Sequence, residues 1–309
     1  MKKIFFIIAL TLICISITYY LFNHSKKPGS ILGTSINNFY QGKEIKISQI
    51  PQKKNLTKDP TINAESTVLI NEPDKYVLFG KNEDNPVAIA SVTKIMTATI
   101  ALEIYKPTDI VEIKKENTEI NGSKVFLKEG EKLTVEDLMY CLLLNSGNDA
   151  AKTLGNTKIT EKEFVGLMNK KATELGLTNT HFMDTAGLDD TGHSSARDIA
   201  ILFSYALKNP EFKKIVSTAE KQVISQDKSQ THDLKNSNRL TTGEIPLDGV
   251  IGGKTGFTPD AGHTLVTAAS KDGHTIIGVV LKTDSDTAPA SAIEMQKLLE
   301  WGFNSYDFK

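Results

Sequence analysis

Strand-forming runs stand at both ends of the polar part of this chain, and helical periodicity fills the stretch between them. Near the start, the β-prone runs 67–70 and 76–79 flank Asn71-Glu72-Pro73-Asp74-Lys75, a turn-rich segment that predicts a hairpin. Near the end, the apolar runs 265–269 and 275–281 flank Lys271-Asp272-Gly273-His274, with Asp-Gly at the centre of a second hairpin. Between them, Ile95, Ala98, Leu102 and Tyr105 recur at three- and four-residue steps, which predicts a helix over 91–105 that stops before Pro107. Thr134 with Glu136 and Asp137 opens another, carrying Leu138, Cys141, Leu142 and Leu144. Further helices are predicted over 164–175, ending before Gly176, over 196–207, closed before Pro210, and over 291–303. Strands at both ends with helices between them suggest one sheet shared by the two hairpins. The expected class is therefore α+β, with an antiparallel sheet built from both ends and flanked by helices.

The chain has 309 residues, enough for one large domain or two small ones, and no repeat divides it. Its 36 basic and 37 acidic side chains nearly cancel, which argues against a nucleic-acid binder. Two cysteines, Cys14 and Cys141, make neither a disulfide scaffold nor a four-thiolate zinc site. The N-terminus reads Met1-Lys2-Lys3, followed by an uncharged, mostly apolar run over 4–22 that ends in Tyr19-Tyr20-Leu21-Phe22. Its length reaches the short end of what crosses a bilayer, its aromatic end suits an interface, and no A-x-A cleavage pattern follows. Residues 1–23 are thus expected to be a membrane helix, a signal-anchor in preference to a cleaved signal peptide. Residues 24–61 are expected to be a basic flexible linker, since 24–58 carry seven lysines against the single acid Glu44. Residues 62–309 are expected to form the folded domain.

Three short patterns carry chemistry. Ser91-Val92-Thr93-Lys94 sits where a helix begins, and three-residue spacing brings the hydroxyl and the amine to one helix face. A serine becomes a nucleophile when a neighbouring base takes its proton, and a lysine is such a base once burial or a second cation lowers its pKa. Ser146-Gly147-Asn148 follows an apolar helix, where a hydroxyl and a carboxamide can relay a proton and hold a substrate amide. Lys254-Thr255-Gly256 continues the strand-like Val250-Ile251-Gly252-Gly253; an amine and a hydroxyl there suit a carboxylate, and the glycines allow close backbone approach. Each pattern alone is common. Ser225-Gln226-Asp227-Lys228 repeats the first and Ser35-Ile36-Asn37 the second, in polar contexts without the flanking elements. The order and context of the three together are what carry weight, and they match the motif set of penicillin-recognising serine enzymes.

The stretch from Ala88 to Ala98 around Ser91, Ser146-Gly147-Asn148-Asp149-Ala150, and Gly253-Lys254-Thr255-Gly256-Phe257-Thr258 resemble the serine-type D-Ala-D-Ala carboxypeptidases, the low-molecular-mass penicillin-binding proteins of peptidase family S11. Gly187-Leu188, His193-Ser194-Ser195-Ala196-Arg197-Asp198 and Asn236-Ser237-Asn238 add to the likeness, which runs from about residue 64 to 303. The resemblance implies a β-lactamase/transpeptidase-like fold and a two-step acyl transfer without a cofactor or metal. Ser91 would attack the bond between two D-alanines, Lys94 would take its proton, and Ser146 would pass one to the leaving D-alanine. Asn148 would hold the substrate, Lys254, Thr255 and Gly256 would bind around its carboxylate, and the N–H groups of Ser91 and Phe257 would form the oxyanion hole. The implied partners are a peptidoglycan stem peptide ending in D-Ala-D-Ala, β-lactams as covalent inhibitors, and the membrane through the N-terminal helix, with the catalytic domain extracytoplasmic, or secreted if the N-terminus is cleaved. Many members also carry a β-rich second domain and a C-terminal amphipathic anchor; here the only membrane candidate is N-terminal.

Three other readings stay open at this point. A β-lactamase shares the fold and first step, but the segment Glu163-Phe164-Val165-Gly166-Leu167-Met168-Asn169 does not fit the E-x-x-L-N spacing of its deacylating glutamate. A metallopeptidase would have to use His181, Asp184, Asp189 and His193, which fill no H-E-x-x-H pattern. A non-catalytic wall-binding module would not need Ser91, Lys94 and Ser146 intact.

Overall fold

The computed structural model describes residues 50–308, apart from Leu56, Pro73, Asp284 and Asp286. Five strands form one sheet: β1 (Ala64–Glu72), β2 (Val77–Lys81), β3 (Val250–Thr258), β4 (Gly262–Lys271) and β5 (His274–Thr283). Their order is β3-β4-β5-β1-β2, and every neighbouring pair is antiparallel. The two predicted hairpins are therefore zipped together by β1 and β5, with Val68 opposite Val279. This is the sheet from both ends that the strand signals implied.

Between its two halves lie α1 (Lys94–Ile104), α2 (Val135–Leu143), α3 (Asn148–Gly155), α4 (Glu161–Glu174), α5 (Ala196–Ala206) and α6 (Pro210–Val216), and α7 (Ala290–Ser305) follows β5. The sheet strands read as unbroken apolar runs, not alternating ones, because helices cover both faces. Val68, Ile70, Val279 and Leu281 enter the larger core with the residues of α1, α2 and α5. Leu69, Ile276, Val280 and Leu265 enter a second core with Met295, Leu298 and Leu299 of α7. Neighbouring strand residues thus serve opposite cores, as the two-residue side-chain period requires.

Several elements depart from the sequence reading. The helix predicted over 91–105 begins as a 3-10 turn, Ala90–Thr93, before α1 takes over. Helix α4 starts before Phe164 because Thr160 and Glu163 form a capping box. Helix α6 was not foreseen: Pro210, taken as the stop of one helix, is also the first residue of the next, with Asn209 Oδ1 accepting from the N–H of Glu211 at 2.9 Å. Helix α3 and the antiparallel pair Glu220–Ile224 and Thr231–Lys235 were missed as well, being short and rich in turn-type or polar residues.

The expected linker boundary at residue 61 also shifts. Gln52–Lys53 pairs antiparallel with Tyr306–Asp307, and the Trp301 indole donates to the Lys58 carbonyl at 2.8 Å. Tyr306 and its neighbours supply a partner for backbone that would otherwise face water. The membrane helix expected over 1–23 and the linker up to residue 49 lie outside the described residues. Among the described residues, no helix is long and apolar enough to cross a membrane.

Candidate active site

The nucleophile candidate stands on a strained corner. Ala90 adopts a left-handed backbone (φ 48°), unusual for a residue with a side chain, and the 3-10 turn that follows lifts Ser91 at the head of α1. Helix α1 is buried on all sides over its first eight residues, Lys94 to Ala101. Lys94 therefore has no route to solvent and is 0 % exposed. Its Nζ lies 2.7 Å from Ser91 Oγ, 2.8 Å from Asn148 Oδ1 and 2.7 Å from the Ala186 carbonyl oxygen. Burial, reinforced by the nearby charge of Lys254, holds the Lys94 amine well below the ordinary lysine range, against the opposing pull of Asp184 and Asp149.

The second motif bridges two helices. Ser146 is left-handed (φ 59°) in the corner between α2 and α3, and Asn148 is the first residue of α3. The Asn148 carboxamide is fixed on both sides: its oxygen accepts from Lys94, and its Nδ2 donates to the Asn121 carbonyl at 2.7 Å. Asp149 next to it accepts the N–H groups of Val125 at 3.2 Å and Leu127 at 3.1 Å, tying the 121–127 loop to the start of α3.

The third motif lies on β3, at the edge of the sheet, where among the described residues β4 is its one sheet neighbour. Lys254 is buried and donates to Ser146 Oγ at 3.0 Å and to the Thr255 carbonyl at 2.8 Å. Burial pushes its amine down to about 7. Thr255 Oγ1 lies 2.6 Å from Ser237 Oγ. At Gly256 the strand passes so close to the nucleophile turn that a Cβ would lie 3.0 Å from the Ile89 carbonyl oxygen and 3.1 Å from the Ser91 nitrogen. Any side chain there would push strand and turn apart. The next residue, Phe257, is exposed and its ring lies 4.5 Å from that of His263.

Ser91, Lys94 and Asn148 thus form one bonded cluster and Ser146, Lys254 and Thr255 another, and the two meet through the neighbouring amines. Two groups escaped the sequence reading as parts of this site. Ser237 lay in a motif that had no assigned role. Asp184 accepts four backbone N–H groups, of Ala186, Gly187, Leu188 and Asp189, and so shapes the loop whose Ala186 carbonyl meets Lys94. Its oxygens are committed to that loop, not gathered with His181, Asp189 and His193; among the described residues no group of three or more such side chains is arranged to hold a metal. Glu163, weighed as a deacylating base, caps its own helix through the Thr160 N–H at 2.9 Å. The repeat of the first motif lies elsewhere, with Ser225 Oγ donating to Asp227 at 2.7 Å.

A sequence profile of the D-alanyl-D-alanine carboxypeptidases, Peptidase S11, matches residues 53–285. The D-alanyl-D-alanine carboxypeptidase DacF of Bacillus subtilis (strain 168) is 36 % identical over 251 residues, which cover 79 % of this chain and 63 % of that protein. DacC of Escherichia coli (strain K12) is 34 % identical over 80 % of this chain and 63 % of its own length. The chain therefore spans somewhat under two thirds of these curated relatives. Among solved structures, the Streptomyces K15 DD-transpeptidase superposes with a TM-score of 0.74 at 34 % identity, covering 80 % of this chain and all of that one. The D-alanyl-D-alanine carboxypeptidase of Mycobacterium tuberculosis H37Rv does so with 0.75 at 30 % identity, over 82 % of this chain and 96 % of that one. The fold is that of the penicillin-binding transpeptidases.

Proposed function

The chain belongs to the D-alanyl-D-alanine carboxypeptidase family, Peptidase S11, and from that membership we propose that it removes the terminal D-alanine of peptidoglycan stem peptides through an acyl-enzyme on Ser91. The observation that carries this reading is the environment of the Lys94 amine. Two of its three neighbours, Asn148 Oδ1 and the Ala186 carbonyl, can only accept hydrogen bonds, while the third, Ser91 Oγ, can also donate. The amine donates to all three oxygens as it stands, and because Ser91 Oγ also carries a proton, a neutral amine can keep its two carbonyl bonds and turn a lone pair to that hydroxyl. The pKa depression by burial and by Lys254 favours that neutral form.

The reaction follows from these positions. Lys94 takes the Ser91 proton as Oγ bonds to the penultimate D-alanine carbonyl carbon, and the resulting oxyanion is met by the N–H groups of Ser91 and Phe257. Collapse breaks the peptide bond, with the proton passing through Ser146 to the departing amine. Lys254, with Thr255 and Ser237, offers a cation and two hydroxyls to the terminal carboxylate, and close passage of the strand at Gly256 suits an extended peptide lying along its edge. Asn148 keeps one N–H for the substrate backbone. Water then attacks the ester, returns the proton to Ser91 and releases the shortened stem. β-Lactams would acylate the same hydroxyl. The apolar run over 4–22 would hold the domain at the outer face of the membrane, where such stems are found.

Mass spectrometry after incubation with penicillin tests this directly. One stable adduct on Ser91, absent from Ser91→Ala, is expected. An adduct on Ser225 overturns the site, and an adduct that vanishes with fast turnover of penicillin transfers the chain to the β-lactamase reading.

A further inference from the structure

The loop beside the second motif carries a feature that the reaction does not use. Phe126 adopts a left-handed backbone (φ 65°), a costly conformation for a bulky residue, yet its ring is 66 % exposed. A fold does not ordinarily accept backbone strain in order to place an aromatic ring in water. The corner is also firmly built. The N–H groups on either side, of Val125 and Leu127, both donate to the buried Asp149 carboxylate, and the Val125 and Leu127 side chains turn into the core. Asp149 directly follows Asn148, so the platform and the substrate-binding carboxamide share one anchor.

The surroundings indicate what would lie on the ring. A Cβ built at Gly122 would be 2.8 Å from Asn148 Nδ2 and 3.5 Å from Leu188 Cδ2, so this loop, Asn148 and the exposed Leu188 meet at one rim of the site. The hydroxyls of Thr255 and Ser237, offered to the carboxylate, come from β3 and the segment that follows Lys235, not from this loop. The Lys124 ammonium lies 5.8 Å from the Phe126 ring centroid and, among the described residues, has no carboxylate within ion-pair distance. An exposed apolar ring next to an unpaired cation fits an acyl-donor side chain that is a long methylene chain ending in an acid.

Resting on the carboxypeptidase reading, we propose that Phe126 and Lys124 form a specificity platform for the residue preceding D-Ala-D-Ala, and that it favours a diamino diacid such as diaminopimelate over lysine at that position.

Phe126→Asn is the informative change, because asparagine accepts a left-handed backbone more readily than phenylalanine and so removes the ring without adding strain. The variant is expected to keep or raise its melting temperature while kcat/KM on a diaminopimelate pentapeptide falls roughly tenfold, the scale of losing one apolar substrate contact. Cleavage of N-acetyl-D-Ala-D-Ala and penicillin acylation of Ser91, which present no long side chain to the Phe126 ring, should stay at wild-type rates. Lys124→Gln should bring kcat/KM for the diaminopimelate stem down towards that for the lysine stem. Equal losses on the long and truncated peptides, or no loss on either, overturn the platform while leaving the carboxypeptidase reading intact. A wild-type protein that is acylated by penicillin but cleaves none of these peptides overturns both.

Discussion

The pattern Ser-x-x-Lys occurs at 91–94 and again at 225–228, and the two copies have almost nothing in common as chemistry. In the first, the amine is buried at the head of a buried helix, 2.7 Å from the hydroxyl, with a second buried lysine beside it. In the second, the serine closes a hairpin turn. Its Oγ donates to Asp227 at 2.7 Å and accepts the Gln230 N–H at 3.0 Å, while Lys228, left-handed at φ 62°, projects into solvent. Spacing alone brings hydroxyl and amine to neighbouring positions. Reactivity requires that the amine lose its proton, which burial and a neighbouring cation favour at Lys94 and solvent exposure does not at Lys228.

The sharpest way to break this contrast is to remove each lysine in turn. Lys94→Ala should slow penicillin acylation of Ser91 by about 10²–10⁴-fold, the span that general-base catalysis covers, while Lys228→Ala should leave it unchanged. Stopped-flow acylation rates measure both. Retained acylation in Lys94→Ala would mean that another base serves Ser91.

A smaller effect concerns pH. A charged Lys254 is needed to meet the carboxylate, so kcat/KM should fall as pH passes about 7, where Lys254 loses its proton. Lys254→Arg keeps the cation and should carry the falling limb out of the accessible range; a limb that stays put belongs to another group. Stability moves with the same group but with opposite sense. Between about 7 and the ordinary lysine value of 10.5, the unfolded chain holds a proton on Lys254 that the folded chain lacks, so stability should rise with pH through that window. Thermal midpoints taken across it should show a shallower rise in Lys254→Met.

How far this difference could be read beforehand follows from where its causes lie. The helix after Ser91 was visible in the spacing of Ile95, Ala98 and Leu102, and the sheet in two apolar hairpins, because local periodicity encodes both. The helix and strand contexts also separated the first copy from the one at 225. What the pattern did not contain was tertiary. The 3-10 turn and left-handed Ala90 depend on Gly187 and Gly256 closing against that corner from distant segments. The Lys94 amine is held well below the ordinary lysine range by enclosure within helices and by Lys254 from the sheet. Asp184 looked like one acid among several near two histidines; its role arises from a loop geometry that no spacing announces. Helix α3 was hidden because Asn148 and Asp149 read equally well as turn residues.

The smallest prediction tests whether the second copy is merely a turn. Lys228 occupies a left-handed conformation that costs a residue with a side chain about 1–2 kcal/mol, and its own N–H donates to the Ser225 carbonyl at 2.8 Å, a bond that glycine retains. Lys228→Gly relieves the strain but frees more of the unfolded chain, at a cost of about 0.5–1 kcal/mol. A net gain of a few tenths to about 1 kcal/mol is expected, read as a rise of roughly 1–3 °C in thermal midpoint for a domain of this size, with acylation unchanged. The same relief is available at Ala90, where φ is 48°. There the left-handed corner holds Ser91 against Lys94 and the strand edge, so Ala90→Gly should slow acylation even if the midpoint rises. Loss of acylation in Lys228→Gly would show that the hairpin communicates with the site and that the two copies are not independent.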